Sequence, residues 1–394
     1  MIRLLQSYLR VWAKFYLKRT RPEIIAITGS ISKTSTKEAI FEVLKVKFGS
    51  KIQKSEGNLN NETGVPLAVL GFTRSPKNII NWLWIILVAP LKSILRKKMA
   101  VLVLEFAADK PGDIKYLLTI AKPHIALITS IGQAHLAAFG TVEKIAQEKL
   151  SLFNDLKNED WAIVNSDDEF LKNYTSHEPQ MMTYAINNSA DIKASNIETR
   201  IEDFKPRTDF EIRLANEAFE AETETLGLTW NVYSSLAAVA CAKIYKMTDE
   251  EIVQGLANIC PHEHRMNVYE GKNSSIIIDD SYNANPVSMG AALEVLQTLP
   301  KSESGQKIAC LGDMLEIGPV TDEAHQSIGQ RAKQIADVVI AVGNDAQKYE
   351  AHKYFMSAEE AGQYLLGIVR VNDIILIKAS RAIGLDKVAE KLKK

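Results

Sequence analysis

Ile24-Ile25-Ala26-Ile27-Thr28-Gly29-Ser30-Ile31-Ser32-Lys33-Thr34-Ser35-Thr36 decides the fold. An apolar run is followed by a glycine turn and then by hydroxyl and lysine residues, which predicts a buried strand, a phosphate-wrapping turn and the first turn of a helix. Backbone N–H groups at such a turn, Gly29, Ser30, Ser32 and Ser35 among them, can cradle a polyphosphate. Lys33 then faces the terminal phosphates, and the Thr34 hydroxyl is placed for Mg²⁺. The pattern departs from G-x-x-x-x-G-K-[ST] at Ile27 and Ser32, where that motif has glycine. On its own the stretch is equally an ordinary strand–turn–helix.

Working outward, several more apolar strands end in polar groups. Val101–Glu105 closes on a carboxylate, and Ile125–His135 runs into a loop bearing a histidine. Ser275–Pro286 ends in Asp279, Asp280, Asn283 and Asn285. Between these lies Gly57-Asn58-Leu59-Asn60-Asn61-Glu62-Thr63-Gly64-Val65-Pro66, too polar for a strand and too rich in turn residues for a linker. Polar groups at the carboxyl ends of apolar strands mark the ligand crevice of an open α/β sheet.

These residues, with Lys149-Leu150-Ser151-Leu152-Phe153, Asn231, His264-Arg265, Gly312-Asp313-Met314-x-Glu316 and Lys378-x-Ser380-Arg381, resemble the Mur ligase family, most closely its MurF-type branch. The resemblance runs from about residue 23 to 394. It implies a P-loop-type, mostly parallel ATPase domain over 23–262 and a smaller Rossmann-like α/β domain over 263–394; ahead of them, residue spacing predicts a basic amphipathic helix over 1–22. It also implies ATP and Mg²⁺ (or Mn²⁺) as cofactors. Family members phosphorylate a carboxylate and let an amine attack the acyl phosphate, so positioning and cation clamps carry most of the catalysis.

By resemblance, Thr34, Glu105 and His135 fall at magnesium-binding positions, and Lys149 falls where the family carries a carbamylated lysine able to hold a second metal. Lys33, His135 and Lys149 are the catalytic candidates. Asn231 matches a position that reads adenine, Arg265 one that reaches phosphate and Asp280 one that holds ribose, with Asn283 beside it. Asn58, Asn60, Asn61 and Thr63 face the acceptor in this reading, and Asp313, Glu316, Lys378, Ser380 and Arg381 face the incoming amine. Plainer readings stay open: a helix cap for His135, a solvated helix lysine for Lys149, turn chemistry for Asn283 and Asn285 and a charged helix N-terminus for Asp313 and Glu316. Trp230 and Ser235 stand where the family more often has His and Asn. Serine at 32 adds a Cβ where a positive φ would favour glycine.

Charge and composition fit this class. Lys plus Arg (47) balances Asp plus Glu (48), which argues against a nucleic-acid partner. Three widely spaced cysteines give neither a metal pattern nor a disulfide framework, as expected in the cytoplasm. The branch usually has a separate UDP-holding domain ahead of the phosphate loop, for which the two dozen residues before the loop leave no room. Residues 1–21 combine apolar residues at helical spacing with six cations and no acid. Residues 79–98 carry an apolar run too short to span a bilayer, which needs about 20 such residues, flanked by lysine and arginine. Two readings follow: the segments pack on the central domain, or they form a peripheral contact with the inner face of the membrane.

The expected activity is that of an ATP-dependent, MurF-like amide-bond ligase of peptidoglycan precursor synthesis, with a muramoyl-peptide acceptor and D-alanyl-D-alanine or a similar amine. Two alternatives remain at this level. One is the same fold acting on a lipid-linked muropeptide, polyglutamate or cyanophycin-like acceptor. The other is a non-catalytic nucleotide-binding partner, which Ser32 favours and the set of Glu105, His135 and Lys149 opposes.

Overall fold

A computed structural model of the chain describes every residue except Met1, Lys77, Gln133, 176–178, Asn216 and Glu316. The chain divides into two compact units, Met1–Ser195 with Ile212–Phe219 and Tyr233–Asn258, and Asn196–Glu211 with Glu220–Val232 and Ile259–Lys394.

The first sheet contains β1 (Glu23–Thr28), β2 (Ile52–Lys54), β3 (Val101–Glu105), β4 (Ile125–Ile128), β5 (Trp161–Asn165), β6 (Gln180–Ala185), β7 (Ile192–Glu202), β8 (Lys205–Leu214) and β9 (Glu217–Thr223). Its strand order is β2-β3-β1-β4-β5-β6-β7-β8-β9. All five residues of β3 and all four of β4 are buried. Helices cover both faces of a parallel sheet, so its central strands read as continuous apolar runs rather than alternating ones. β1 pairs in parallel with β3 and β4. The register sets Ile27 opposite Glu105 and Thr28 opposite Ile128. The phosphate turn, the β3 carboxylate and the start of the histidine loop therefore share one edge of this sheet.

The alternating sequence near 190–228 forms β7–β9. Asp203 and Phe204, at φ 49° and 58°, join β7 to β8. Two residues with positive φ make the tight turn of an antiparallel hairpin, whereas a parallel pair needs a long crossover.

Helices of the first unit include α1 (Ile2–Thr20), α2 (Lys33–Phe48), α3 (Gly64–Val69), α4 (Ile79–Leu95), α5 (Asp113–Leu118), α6 (Leu136–Phe139) and α7 (Val142–Leu150). α1 seats Leu9, Ala13 and Tyr16 in the core, at the spacing of one helical face. Asn78 caps α4 through a hydrogen bond from the Asn81 N–H.

The second sheet contains β10 (Asn267–Glu270), β11 (Ile276–Asp279), β12 (Lys307–Gly312), β13 (Val338–Val342), β14 (Lys353–Phe355) and β15 (Ile374–Lys378), in the order β10-β11-β15-β12-β13-β14. Only β10 runs antiparallel. Asp279 lies beside Ile377, and Leu311 beside Lys378. The polar segments after β11, β12 and β15 thus emerge at the carboxyl edge of this sheet.

Candidate active site

The phosphate turn of the first unit is fixed by contacts that leave little choice of residue. A Cβ on Gly29, at φ 152°, would lie 1.9 Å from Thr129 Oγ1. The Ser30 N–H donates to the Ser130 carbonyl at 2.8 Å, and its Oγ accepts from the Gly132 N–H at 2.9 Å. The Ile31 N–H donates to Ser130 Oγ at 3.1 Å. The loop is thereby pinned to the segment after β4.

Ser32, the residue before α2, adopts φ 61° and ψ 10°. The loop keeps the left-handed conformation that suits glycine, and serine tolerates it there. For an L-residue that conformation costs roughly 1–2 kcal/mol. It sets the start of α2 at the loop, where the helix dipole favours an anion.

Two lysines close over this turn. Lys33 Nζ donates to the Gly29 carbonyl at 2.8 Å, and Lys149 Nζ donates to the same oxygen at 3.0 Å. Lys149 is buried at the end of α7, so it is not the solvated helix lysine that its neighbours Glu148 and Lys144 suggest. Burial and then the Lys33 charge push its pKa down to about 7. An amine that titrates near neutrality has a large uncharged fraction, the form that reacts with CO₂ to give a carbamate.

Glu105 is the centre of the second cluster. It is 3% exposed, and its carboxylate collects three groups. Thr34 Oγ1 donates to Oε2 at 3.1 Å, Asn60 Nδ2 donates to Oε1 at 2.9 Å, and Lys37 Nζ stands 3.7 Å from Oε2. The Glu105 N–H donates to Ser55 Oγ at 3.2 Å. Burial pushes the carboxyl pKa up, but the charges of Lys37 and Lys33 with the Asn60 and Thr34 hydrogen bonds leave it below its ordinary value. Glu105 is therefore an ionised, buried carboxylate with a hydroxyl beside it. Hard oxygen donors of this kind fit Mg²⁺, which uses one or two carboxylates and completes its shell with water and phosphate oxygens.

Lys37 was not singled out in the sequence, where a lysine four residues after Lys33 on a helix reads as solvated. It is fully buried, and its ammonium makes no hydrogen bond among the described residues, only ion-pair contacts with Glu105 and Glu38 at 3.7 Å each. The i, i+4 spacing from Lys33 was the available signal, because it sets both lysines on one face of α2.

His135, also left-handed at φ 59°, has Nε2 3.5 Å from Asp109 Oδ1. Thr34 and Glu105 are thus in direct contact, whereas His135 pairs with Asp109 and Lys149 with Gly29. Among the described residues no three His, Cys, Asp or Glu side chains gather as a ready-made metal cage. In the asparagine segment, Asn60 serves Glu105, and Asn61 Oδ1 accepts from the N–H groups of Thr63 and Gly64 to turn the chain into α3. Both side chains are engaged within the chain, Asn60 half-buried and Asn61 exposed, and Asn58 and Thr63 are the remaining members of the expected acceptor-facing set.

The second unit has its own constellation. The His264 imidazole lies 2.8 Å from Asp279 Oδ2, and the Ser281 hydroxyl donates to Asp279 Oδ1 at 2.6 Å. Lys378 Nζ donates to Asp280 Oδ2 at 2.6 Å and to the Asn283 carbonyl at 2.9 Å. Burial raises the Asp280 pKa, against the pull of Lys378 and Arg265. The Arg265 guanidinium stacks over the Tyr282 ring at 4.3 Å, and its buried Nε has no hydrogen-bond partner among the described residues. A donor of that type suits a phosphate oxygen. Asn231 donates to the Leu226 carbonyl at 2.7 Å, which ties down the turn before the helix Trp230–Ile244.

Three residues expected to face an incoming amine are instead committed internally. Asp313 accepts from the N–H groups of Asn344 and Ala346, at 3.0 and 2.6 Å. Ser380 Oγ accepts from the Leu315 N–H at 2.8 Å, and Lys378 is bound as above. All three are nearly inaccessible, because the carboxyl ends of adjacent strands satisfy one another's polar groups. Arg381 is exposed, and Glu316 lies outside the described residues.

Comparison with known proteins agrees with this geometry. A family model described as the Mur ligase middle domain matches residues 27–242, and one described as the Mur ligase glutamate ligase domain matches 264–381. The UDP-N-acetylmuramoyl-tripeptide--D-alanyl-D-alanine ligase of Buchnera aphidicola subsp. Baizongia pistaciae is 31% identical, over 96% of this chain and 77% of its own. The enzyme of the same name from Bacillus subtilis is 29% identical, over 96% and 78%. Among solved structures, MurF ligase from Thermotoga maritima in complex with ADP superposes with a TM-score of 0.82 at 26% identity, covering 98% of this chain and 83% of its own. With the middle-domain match spanning more than half of its length, this chain belongs to the Mur ligase family and is an ATP-dependent ligase.

Proposed function

We propose that this enzyme joins D-alanyl-D-alanine, or a closely similar amine, to the terminal carboxylate of a muramoyl-tripeptide during peptidoglycan precursor synthesis. Similarity along almost the whole chain to ligases named for that reaction supports the substrate pair. The observation that carries a catalytic reading over a purely nucleotide-binding one is the ionised Glu105 held against Thr34 beside the phosphate turn.

The terminal phosphoryl group of ATP passes to the acceptor carboxylate, and the amine then attacks the resulting acyl phosphate to expel phosphate. The phosphate turn and Lys33 hold the polyphosphate, and Arg265 carries a guanidinium of the kind that suits phosphate oxygens. Thr34 and Glu105 would hold Mg²⁺, with His135 and a carbamylated Lys149 as further ligands; bound metal supplies Lewis-acid charge neutralisation. Asn58 and Thr63 contact the acceptor and Arg381 the amine. The domain division proposed for this chemistry is 23–262 for nucleotide and 263–394 for the amine. The location proposed is the cytoplasmic side of the membrane, in contact with it through residues 1–21 and 79–98.

The test is ADP release by the purified protein with Mg²⁺, D-alanyl-D-alanine and UDP-N-acetylmuramoyl-tripeptide, each omitted in turn. The proposal expects turnover only when all are present. ADP release that ignores the amine overturns it.

A further inference from the structure

The least expected surface of the molecule is the outer face of the α1–α4 pair in the first unit. The two helices run in the same direction along each other. Tyr8 Oη donates to the Ile86 carbonyl at 2.7 Å, Tyr16 Oη to the Lys97 carbonyl at 3.0 Å, and Arg19 Nε to the Ser93 carbonyl at 3.1 Å. On α4, Ile85, Ala89 and Ser93 turn inward. Outward it exposes Ile80 (73%), Leu83 (59%), Trp84 (54%), Leu87 (73%), Leu91 (56%) and Leu95 (75%). These positions recur at helical spacing as one continuous apolar stripe. α1 adds exposed Leu4, Val11 and Phe15. Contiguous apolar surface of this kind on a polar protein marks an interaction site.

Charge says what covers it. Residues 1–22 and 74–100 hold 12 of the chain's 47 basic residues and none of its 48 acidic ones, leaving 35 against 48 elsewhere. Because the helices are parallel, Lys14, Lys18 and Arg19 on α1 collect at the same end as Lys97 and Lys98 after α4, all exposed. At that end Leu91, Lys92, Leu95 and Arg96 line a shallow cavity. Lys92 and Arg96 each stand below their ordinary pKa, chiefly through burial, and Arg96 adds to the effect on Lys92. An anion seated there would relieve that repulsion.

We propose that the α1–α4 face binds the surface of an anionic lipid bilayer, with the α4 stripe in the headgroup–acyl boundary and the basic end against lipid phosphates. α4 is apolar on this face and only 17 residues long, and no described helix is long and apolar enough to cross a membrane. A helix pair of that kind lies in the interface rather than through it. A protein partner of the same size would need an acidic, apolar counter-surface, whereas an anionic bilayer supplies both features without further design. The inference deepens the location part of the proposal above, and its test uses no substrate, so each can fail alone.

The test is co-sedimentation of the full chain with phosphatidylcholine vesicles, with and without phosphatidylglycerol, at low and high salt. Binding is expected only with the anionic lipid and is expected to weaken as salt screens it. Emission from Trp84 should shift to the blue on binding, and the shift should vanish in Trp84→Phe. Leu83→Glu with Leu87→Glu, and separately Lys97→Glu with Lys98→Glu, should each lower partitioning roughly tenfold or more, while ATP affinity stays unchanged as the control for folding. No sedimentation with anionic vesicles overturns the proposal, as does equal binding to neutral vesicles. Retained binding in both double variants overturns the assignment to this face. Loss of ATP affinity in one pair shifts the decision to the other pair and to Trp84.

Discussion

The polar clusters at the strand ends of the two units contain the same residue types but are used differently. Around the phosphate turn, charges are buried and incompletely answered. Lys149 loses much of its charge near neutral pH, Lys37 has ion-pair contacts but no hydrogen bond, and Ser32 holds a left-handed backbone. At the carboxyl edge of the second sheet, the charges answer one another: Lys378 with Asp280, His264 with Asp279, and Asp313 with two backbone N–H groups. Unsatisfied, strained groups persist only where something else over-determines them, and they cluster at functional sites. The first cluster therefore fits a ligand-holding role, whereas the second is largely self-satisfied, with the buried Arg265 Nε as its unanswered donor among the described residues.

The largest effect that tests this contrast is Glu105→Ala. Losing the buried charge beside the phosphate turn should lower the ligase rate about 10²–10³-fold, measured as ADP release at saturating substrates. A change below threefold would remove Glu105 from the centre. Lys378→Met should act mainly on stability, because it leaves Asp280 buried without its partner. A loss of about 3–5 kcal/mol in denaturant unfolding is expected. Lys37→Met should give the opposite profile: under about 2 kcal/mol of stability, since Glu105 retains its bonds from Thr34 and Asn60, but a clear rise in the Mg²⁺ concentration needed for half-maximal rate or a fall in kcat. Equal profiles for the two lysines would erase the distinction between the regions.

The pH dependence sharpens it further. Lys149 has a folded pKa of about 7 against an ordinary 10.5. Below pH 7 both folded and unfolded states carry the proton, and the folded state bears the full cost of burying that charge. Between 7 and 10.5 the unfolded state binds more protons, so stability from this group rises with pH across that window. Subtracting the profile of Lys149→Met from that of the wild type in CO₂-free buffer should recover this slope, and a flat difference would contradict the depressed pKa. The smallest effect is expected from Ser32→Gly, which should stabilise the fold by about 1 kcal/mol by relieving the left-handed backbone. A destabilised variant would show that the serine side chain supports the loop.

Much of the fold was legible because central parallel strands are apolar on both faces. Val101–Glu105, Ile125–Ile128, Ile308–Leu311 and Val338–Val342 stand out without any periodicity, and each closes on the segment that matters. β10 and β14 were not legible. Asn267–Glu270 is only partly buried and Lys353–Phe355 is mostly exposed at an edge, so neither carries that signal. At the site, residue types announced Glu105 and the phosphate turn. They did not announce the partners within the chain: Asn60 bonds Glu105, Asn61 makes a turn, and Lys378 spans to Asp280 across 98 residues of chain. Such partners depend on sheet register, which a motif does not encode. Lys37 was missed for the converse reason, because lysine on a helix is usually solvated and burial is a property of the packed unit.

Glu105 and Thr34 would form the metal-dependent anchor for the nucleotide. Isothermal titration of ATP into the wild type and Glu105→Gln, each with and without Mg²⁺, tests it most directly. Mg²⁺ should tighten ATP binding by the wild type and leave the variant nearly unchanged, with both proteins equally folded. Equal tightening in the two proteins would place the metal elsewhere and rule out Glu105 as its ligand.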